Sequence, residues 1–428
     1  MYKLSQIIVE ILAKLYLWRF NPQIIGITGN VGKTSTKEAI GLVIGKIKKV
    51  RVSGGNLNNE VGLPFNIISD SSDEYYEKGG SLIFGIKSFF KAIVGLFNSD
   101  YPEVLILEYG ADRPGDIKKL VSKYKPHIAV ITAVGEIPVH VEYFAGSADV
   151  AKEKRKLIEV LEASDFAVLN FDDLTVLEMR EKTKAKVYTY GFGDGAMIRA
   201  SDLNVRTDEK GFPIGLNLKI HNEESFVPVN LDGALGKSQG YAATAAAAVG
   251  MIFGVNLIEI SSALSEYHSP KGRLKILKGI KNSVVIDDTY NASPASMRLA
   301  LETLHDLSGQ RKIVVLGDML ELGEHTIKAH QNIGTFAATF ADILICVGSR
   351  AKFIAEAASN QMIKENIFTF ETSQEAKEKV EQIIREHDLT LVKGSQGMRM
   401  EKIVEEIMAE PEKKKELLIR QSKKWLAK

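Results

Sequence analysis

The chain is 428 residues long, more than one hydrophobic core usually serves, so two or three domains are expected. Its 55 Lys and Arg are balanced by 54 Asp and Glu, in an ordinary globular composition with no basic excess to bind a nucleic acid. The single cysteine, Cys346, rules out an intrachain disulfide and fits a reducing, cytoplasmic compartment.

Met1 to Phe20 is apolar but has no small-residue cleavage site, and Glu10, Lys14 and Arg19 interrupt it, so neither a signal peptide nor a transmembrane span is expected. Leu4, Ile7, Ile8, Ile11, Leu12 and Leu15 recur at helical spacing and make one apolar face. That face either packs on its own domain, the plainer outcome, or docks peripherally on a membrane or a partner.

From Gln23 onward, short apolar runs alternate with helical patterns, the signature of parallel sheets with crossover helices. Strands are predicted at Gln23–Ile27, Val104–Tyr109, His127–Val134, Phe166–Asn170 and Lys186–Tyr190. Between about Met197 and Leu231 the pattern alternates and is broken at Asp208–Gly211 and His221-Asn222, which predicts an antiparallel hairpin region. Two helices should follow, one of them Ala-rich from Tyr241 to Phe253. A second α/β series begins after Ser269-Pro-Lys-Gly272, with strands at Ser283–Asp287, Lys312–Leu316, Asp342–Val347, Asn366–Phe370 and Leu389–Val392. The charged tail from Glu410 carries no assigned chemistry.

Gly26-Ile-Thr-Gly-Asn-Val-Gly-Lys-Thr34 joins a predicted strand to a predicted helix. Glycines there let backbone N–H groups turn towards a phosphate, and the helix N-terminus adds partial positive charge. Thr28, Gly29, Asn30, Val31, Gly32, Lys33 and Thr34 are therefore the candidate ATP-binding loop, with Lys33 on the outer phosphates and the Thr34 hydroxyl on Mg2+. The spacing departs from the usual phosphate loop, because Ile27 stands where its first glycine would be and Gly26 lies one residue further back.

This loop, with Gly29 in its middle, resembles that of the Mur ligase family, and the resemblance runs over almost the whole chain from residue 21. Gly55-Asn-Leu-Asn-Asn-Glu-Val-Gly-Leu-Pro64 is similar to a family segment that contacts substrate, which implies that role for Asn58 and Asn59; alone it would read as a turn. Glu108 falls at the carboxyl edge of a strand, where open α/β sheets bind ligands, and a carboxylate there can hold Mg2+. His140 resembles the family's metal histidine, though a lone histidine after a strand is more often structural. Lys154, ten residues after Phe144, matches a family lysine that is carbamylated, while the same run of Lys152, Lys154 and Lys156 alone would read as a solvated helix face. The resemblance thus implies a catalytic set of Lys33, Glu108, His140 and Lys154, and a metal set of Thr34, Glu108, His140 and Lys154.

Lys271-Gly-Arg273 and Val285–Met297 resemble the family's nucleotide-closing block. This implies that Arg273 binds phosphate, Asp288 the ribose, and Tyr290 and Asn291 the surrounding nucleotide site. A planar, always-charged arginine suits phosphate. The family's His-Asn pair aligns with Ser238-Gln239, where Gln239 retains the chemistry to meet an adenine edge. Leu316–His325 and Val392–Glu401 look like the branch of the family that adds D-alanyl-D-alanine, with Gly394 and Ser395 at a helix entrance suited to an anionic group.

The implied architecture is α/β: an amphipathic helix at 1–20, a P-loop central domain with a mostly parallel sheet at 21–268, and a second, Rossmann-like α/β domain at 269–428. The implied activity is ATP- and Mg2+-dependent ligation of D-alanyl-D-alanine to the carboxylate of a muramoyl-peptide nucleotide precursor through an acyl phosphate, by a monomer. Relatives carry a front domain that grips the UDP end, whereas only about twenty residues precede the phosphate-loop strand, so a different acceptor or a non-catalytic ATP-binding scaffold are the rival expectations.

Overall fold

The computed structural model describes residues 2–55, 57–69, 92–135, 141–223, 225–307 and 311–426. Among these, nine strands build one sheet and six build another. The first sheet has β1 (Gln23–Thr28) near its middle, with β2 (Val50–Val52), β3 (Val104–Glu108), β4 (Ile128–Ile131), β5 (Phe166–Asn170) and β6 (Lys186–Gly191) around it in the order β2-β3-β1-β4-β5-β6, all parallel. The chain leaves β1 towards one edge and later returns to place β4 on its other side. That reversal opens a crevice at the carboxyl ends of β1, β3 and β4.

Beyond β6 lie β7 (Ile198–Thr207), β8 (Pro213–Asn222) and β9 (Ser225–Asp232), the last two antiparallel to their predecessors. The second sheet follows in the order β10-β11-β15-β12-β13-β14. Here β10 (Lys275–Lys278) runs antiparallel to β11 (Val284–Asp288), while β12 (Lys312–Gly317), β13 (Ile343–Val347), β14 (Ile367–Phe370) and β15 (Leu389–Lys393) are parallel to it. The Pro/Gly-bearing segment 269–272 falls between the two sheets.

Three differences from the sequence expectation have local causes. The edge strands β2 and β10 have three and four residues, too few to show a period. The apolar run expected as a strand to Val134 leaves the sheet after Ile131, because Ala133 turns to form an antiparallel bridge with Val31 of the phosphate loop. The hairpin region is a three-stranded meander, whose first turn is set by Asp208 Oδ1 accepting from the N–H groups of Lys210 and Phe212.

Helices cover both faces of the first sheet. They include α1 (Tyr2–Phe20), α2 (Lys33–Gly45), α3 (Gly62–Ile68), α4 (Asp116–Lys123), α5 (Ser147–Glu159), α6 (Lys237–Ile252) and α7 (Leu257–Leu264). Residues Ala245 to Ala248 of α6 are fully buried, and their small side chains let α6 lie close against α2; a Cβ on Gly250 would meet Val43 Cγ1 at 2.7 Å. On the opposite face α1 packs with Leu12, Ala13 and Tyr16. Of the face expected from the apolar spacing, Leu12 is buried here, whereas Ile7, Ile8, Ile11 and Leu15 point outward. The helix is apolar on two sides, and among the described residues only one of them meets the domain.

Candidate functional site

The crevice is built around the turn after β1. Gly29 and Gly32 both have positive φ, 143° and 88°, and a Cβ on Gly29 would collide with the Thr132 side chain, so the loop can take this path only with glycine there. Asn30 N–H and Val31 N–H donate to Ala133 O at 2.6 and 3.3 Å, and Asn30 Nδ2 donates to Val134 O at 2.6 Å, which pins the loop against the end of β4. The N–H groups of Lys33, Thr34 and Ser35 open α2, have no intrahelical acceptor and receive no side-chain cap. Helix α2 therefore presents donors and the positive end of its dipole to whatever occupies the crevice.

Glu108 lies beside this loop because β3 pairs with β1 in a register that sets Ile27 against Glu108. Its Oε2 is 3.5 Å from Thr34 Oγ1, and Asn58 Nδ2 donates to its Oε1 at 3.2 Å. Burial alone would raise its pKa, but Lys33, Lys37, the Asn58 hydrogen bond and Arg273 together outweigh burial and hold it below the usual carboxylate value. The crevice thus contains a buried, ionised carboxylate next to a hydroxyl, a donor set suited to a hard cation. Among the described residues no three His, Cys, Asp or Glu side chains gather into a metal cage. His140 lies outside the described residues.

Lys154 reaches the same point from α5. Its Nζ donates to Gly29 O at 3.1 Å, and Lys33 Nζ donates to that same oxygen at 2.8 Å. Two amines therefore converge on one carbonyl, and burial followed by repulsion from Lys33 pushes the Lys154 pKa down to about 7. Glu153, next to it, accepts from Gly115, Ile117 and Lys118 N–H groups at 2.9, 2.7 and 3.3 Å and so braces α5 against the start of α4.

The segment leading into β10 contributes Arg273, whose Nη2 donates to Thr34 Oγ1 at 3.4 Å and whose guanidinium stacks on the Tyr290 ring at 3.8 Å. Its backbone oxygen accepts from Gln239 Nε2 at 2.8 Å and Ser269 Oγ at 2.6 Å. Arg273 Nε and Asn30 Oδ1 are buried with no hydrogen-bond partner. A guanidinium that meets the donor-rich start of α2 through Nη2 and keeps a second, buried nitrogen unsatisfied is an arrangement a phosphate would complete.

Other residues picked from the sequence are committed elsewhere. Asn59 Oδ1 accepts from Val61 and Gly62 N–H groups, which makes a turn leading into α3. Gln239 holds the Arg273 carbonyl and accepts from Tyr267 Oη at 2.7 Å, so both ends of its amide are engaged away from any adenine edge. Asp288 Oδ2 pairs with Lys393 Nζ at 2.6 Å and Oδ1 accepts from Leu274 N–H at 3.2 Å, though a carboxylate keeps further lone pairs for a ribose. Asn291 Oδ1 accepts from Ala292 N–H at 2.9 Å, and its backbone oxygen accepts from Lys393 at 2.9 Å.

Ser395 Oγ accepts from Leu320 N–H at 2.9 Å and is buried, and the next element in the chain is a single 3-10 turn, Gln396–Met398, rather than the helix entrance expected. Gly394 lies so close to Gly317 that an added Cβ would stand 3.0 Å from its Cα, so this pair stitches the loops after β12 and β15.

Sequence reasoning missed Lys37, Gln239 as a brace, Lys393 and Arg420. Lys37 is buried and donates to Ser53 O; Arg420, in the tail left without a role, donates to Thr289 O and Tyr290 O and pairs with Glu401 at 2.9 Å. Only Lys37 had a local signal, being a lysine on the buried side of a helix that starts at a phosphate loop.

Comparison with known proteins bears on this crevice. Residues 91–250 match the Mur ligase middle domain and residues 272–396 match the Mur ligase, glutamate ligase domain. The UDP-N-acetylmuramoyl-tripeptide--D-alanyl-D-alanine ligase of Bacillus subtilis (strain 168) is 29% identical over 402 residues, covering 94% of this chain and 79% of its own. That of Escherichia coli (strain K12) is 26% identical, covering 89% and 76%. A crystal structure of MurF from Acinetobacter baumannii superposes with a TM-score of 0.76 at 25% identity, covering 93% of this chain and 79% of that one. MurF from Thermotoga maritima in complex with ADP shares the fold, with a TM-score of 0.76 at 24% identity over 95% and 84% of the two chains.

Proposed function

The chain belongs to the Mur ligase family, and on that premise we propose that it is an ATP-dependent ligase adding D-alanyl-D-alanine to the carboxylate of a UDP-linked muramoyl tripeptide in peptidoglycan synthesis. The observation that carries the chemistry is the meeting of Arg273, from the second domain, with Thr34 and Glu108 at the phosphate loop. The choice of dipeptide follows the relatives that share most of the chain's length.

A carboxylate is a poor electrophile, so ATP supplies the phosphoryl group that converts it to an acyl phosphate, and Mg2+ supplies positive charge against the phosphate oxygens. Thr34 and Glu108 would hold the cation, with His140 and a modified Lys154 as further proposed members of its surroundings. The opening N–H groups of α2 and the Lys33 ammonium bind and orient the outer phosphates. Arg273, held flat by Tyr290 and fixed at its carbonyl by Gln239 and Ser269, brings a second cation from the other side and helps exclude water. Asp288, Tyr290 and Asn291 are the proposed nucleotide contacts, and Asn58, Asn59, Gly394 and Ser395 the proposed substrate-side loops. With the acyl carbon activated, the dipeptide amine attacks it, an N–C bond forms and phosphate leaves.

Lys154 is the proposed carbamate. Its neutral amine would attack CO2, forming an N–C bond and losing a proton, so that an anion replaces a cation. Two amines on one carbonyl oxygen is a strained electrostatic arrangement, and converting one into an anion beside Lys33 relieves it.

The test is a substrate panel read by phosphate release and product mass. Turnover with the UDP-linked muramoyl tripeptide, ATP and D-alanyl-D-alanine, and little with single amino acids, is the expected result. Absence of ADP and of an amide product with that pair would overturn the assignment.

A further inference from the structure

We infer that the outward face of α1 is a docking surface for an anionic lipid bilayer, an inference that does not depend on the ligase reading. Helix α1 is fixed to the domain along one side: Leu12, Ala13 and Tyr16 are buried, Tyr16 Oη donates to Ala92 O at 2.7 Å, and Glu10 pairs with Lys123 at 2.8 Å. At about 3.6 residues per turn, the opposite side carries Ile7, Ile11, Leu15 and Trp18 in one line. Ile7 and Ile11 are each 52% exposed and Trp18 is 81% exposed. The helical turn at 92–95, docked on Tyr16, adds exposed Val94, and Phe97 just after it is 86% exposed.

A helix that is apolar on two sides normally buries both, and among the described residues only one side of α1 is covered. The exposed line has the composition of an interfacial helix, with aliphatic residues along it and a tryptophan near its end. The charges beside it point to the occupant. On the helical wheel Lys14 and Arg19 border the exposed arc on its two sides, and both are exposed with no acidic partner among the described residues. The helix's one acid, Glu10, is turned away and neutralised by Lys123. An apolar strip framed by two uncompensated cations complements a surface that is apolar below and negative above. No helix among the described residues is long and apolar enough to cross a membrane, so the contact is one of lying on the bilayer rather than spanning it.

The test uses the full chain with vesicles of phosphatidylcholine alone and of phosphatidylcholine with phosphatidylglycerol. Expected is co-sedimentation with the second set, weakening as salt is raised because the cationic part is screened. A double variant Ile11→Ser/Trp18→Ser should lose at least about tenfold in vesicle binding, given the transfer energy of two large apolar side chains. Lys14→Glu/Arg19→Glu should lose the preference for anionic vesicles. All four positions are exposed, so near-UV circular dichroism and the thermal midpoint should stay as in the parent. The inference is overturned if the parent chain does not bind anionic vesicles, or if both variants bind them as the parent does. It is equally overturned if light scattering shows a dimer that Ile11→Ser/Trp18→Ser abolishes, which would assign the strip to a second copy of the chain.

Discussion

Two buried lysines face the crevice from opposite domains, and their surroundings could hardly differ more. Lys393 donates to Asp288 at 2.6 Å and to Asn291 O at 2.9 Å, so its charge is matched and its hydrogen bonds are made. Lys154 has only Gly29 O, which it shares with Lys33, and no carboxylate within ion-pair distance among the described residues. Burial lowers the pKa of both, but for Lys393 the adjoining carboxylate pulls back up, whereas for Lys154 the next strongest influence is another cation. A matched buried charge holds loops together, while an unmatched one is available for chemistry.

Replacing each lysine by methionine should separate the two roles. Lys154→Met is expected to lower turnover by about 10²- to 10³-fold, the scale of losing one well-placed electrostatic group, while leaving the thermal midpoint unchanged or raised, since a poorly matched buried amine is removed. Lys393→Met strands Asp288 and is expected to cost about 3–5 kcal/mol of stability, measured by urea unfolding. Adding Asp288→Asn to it should recover much of that loss. If Lys154→Met proves the less stable of the two single variants, the contrast between the lysines fails.

Arg273 gives a smaller effect. Arg273→Lys keeps a cation near Thr34 but loses the planar fork and its stacking on Tyr290, so turnover should fall by about 10- to 100-fold, with a raised KM for ATP. An unaltered KM would mean that Arg273 does not meet the nucleotide.

The pKa of Lys154 provides a different kind of measurement. Because its folded-state value is lowered to about 7, the reactive neutral amine is scarce below that pH and dominant above it. Incorporation of 13C-labelled CO2, read as a carbamate carbon signal in the Mg2+-free protein, should therefore rise as pH is raised through about 7 and be absent in Lys154→Met. A signal that is the same on both sides of this range would contradict the assigned environment.

These contrasts also show what a sequence can and cannot disclose. The strand cores were legible because parallel strands buried on both faces read as unbroken apolar runs, and Phe166–Asn170 is such a case. The phosphate loop was legible because its glycines are demanded by backbone path. Lys393 was not, since its partner Asp288 lies 105 residues away in sequence and the two meet only through the β11–β15 pairing. Gln239 was legible as a residue but not as a brace, because its role depends on Tyr267 and on the carbonyl of Arg273. Which side of α1 the domain covers was not legible for the same reason: periodicity shows that a face is apolar, and only the tertiary contacts show which of two apolar faces is covered.

Asn58 offers the smallest test, and it probes whether a loop read as substrate-binding serves Glu108, the carboxylate proposed to hold Mg2+, instead. Its amide donates to Glu108 Oε1, its backbone oxygen accepts from Gly110 N–H at 2.8 Å, and Gly110 is so close that an added Cβ would stand 2.7 Å from Asn58 Cγ. The Asn58 amide thus packs on the Gly110 backbone with its N–H on the carboxylate. Removing a neighbour that orients a metal-binding carboxylate costs on the order of tenfold to a hundredfold in metal affinity. Asn58→Ala should therefore shift the Mg2+ dependence of turnover to higher concentration by about tenfold, with kcat at saturating Mg2+ nearly restored and KM for the peptide acceptor unaltered. A raised KM for the acceptor with unchanged Mg2+ dependence would instead place Asn58 against the substrate, and Glu108 would then have to be oriented by the cations around it alone.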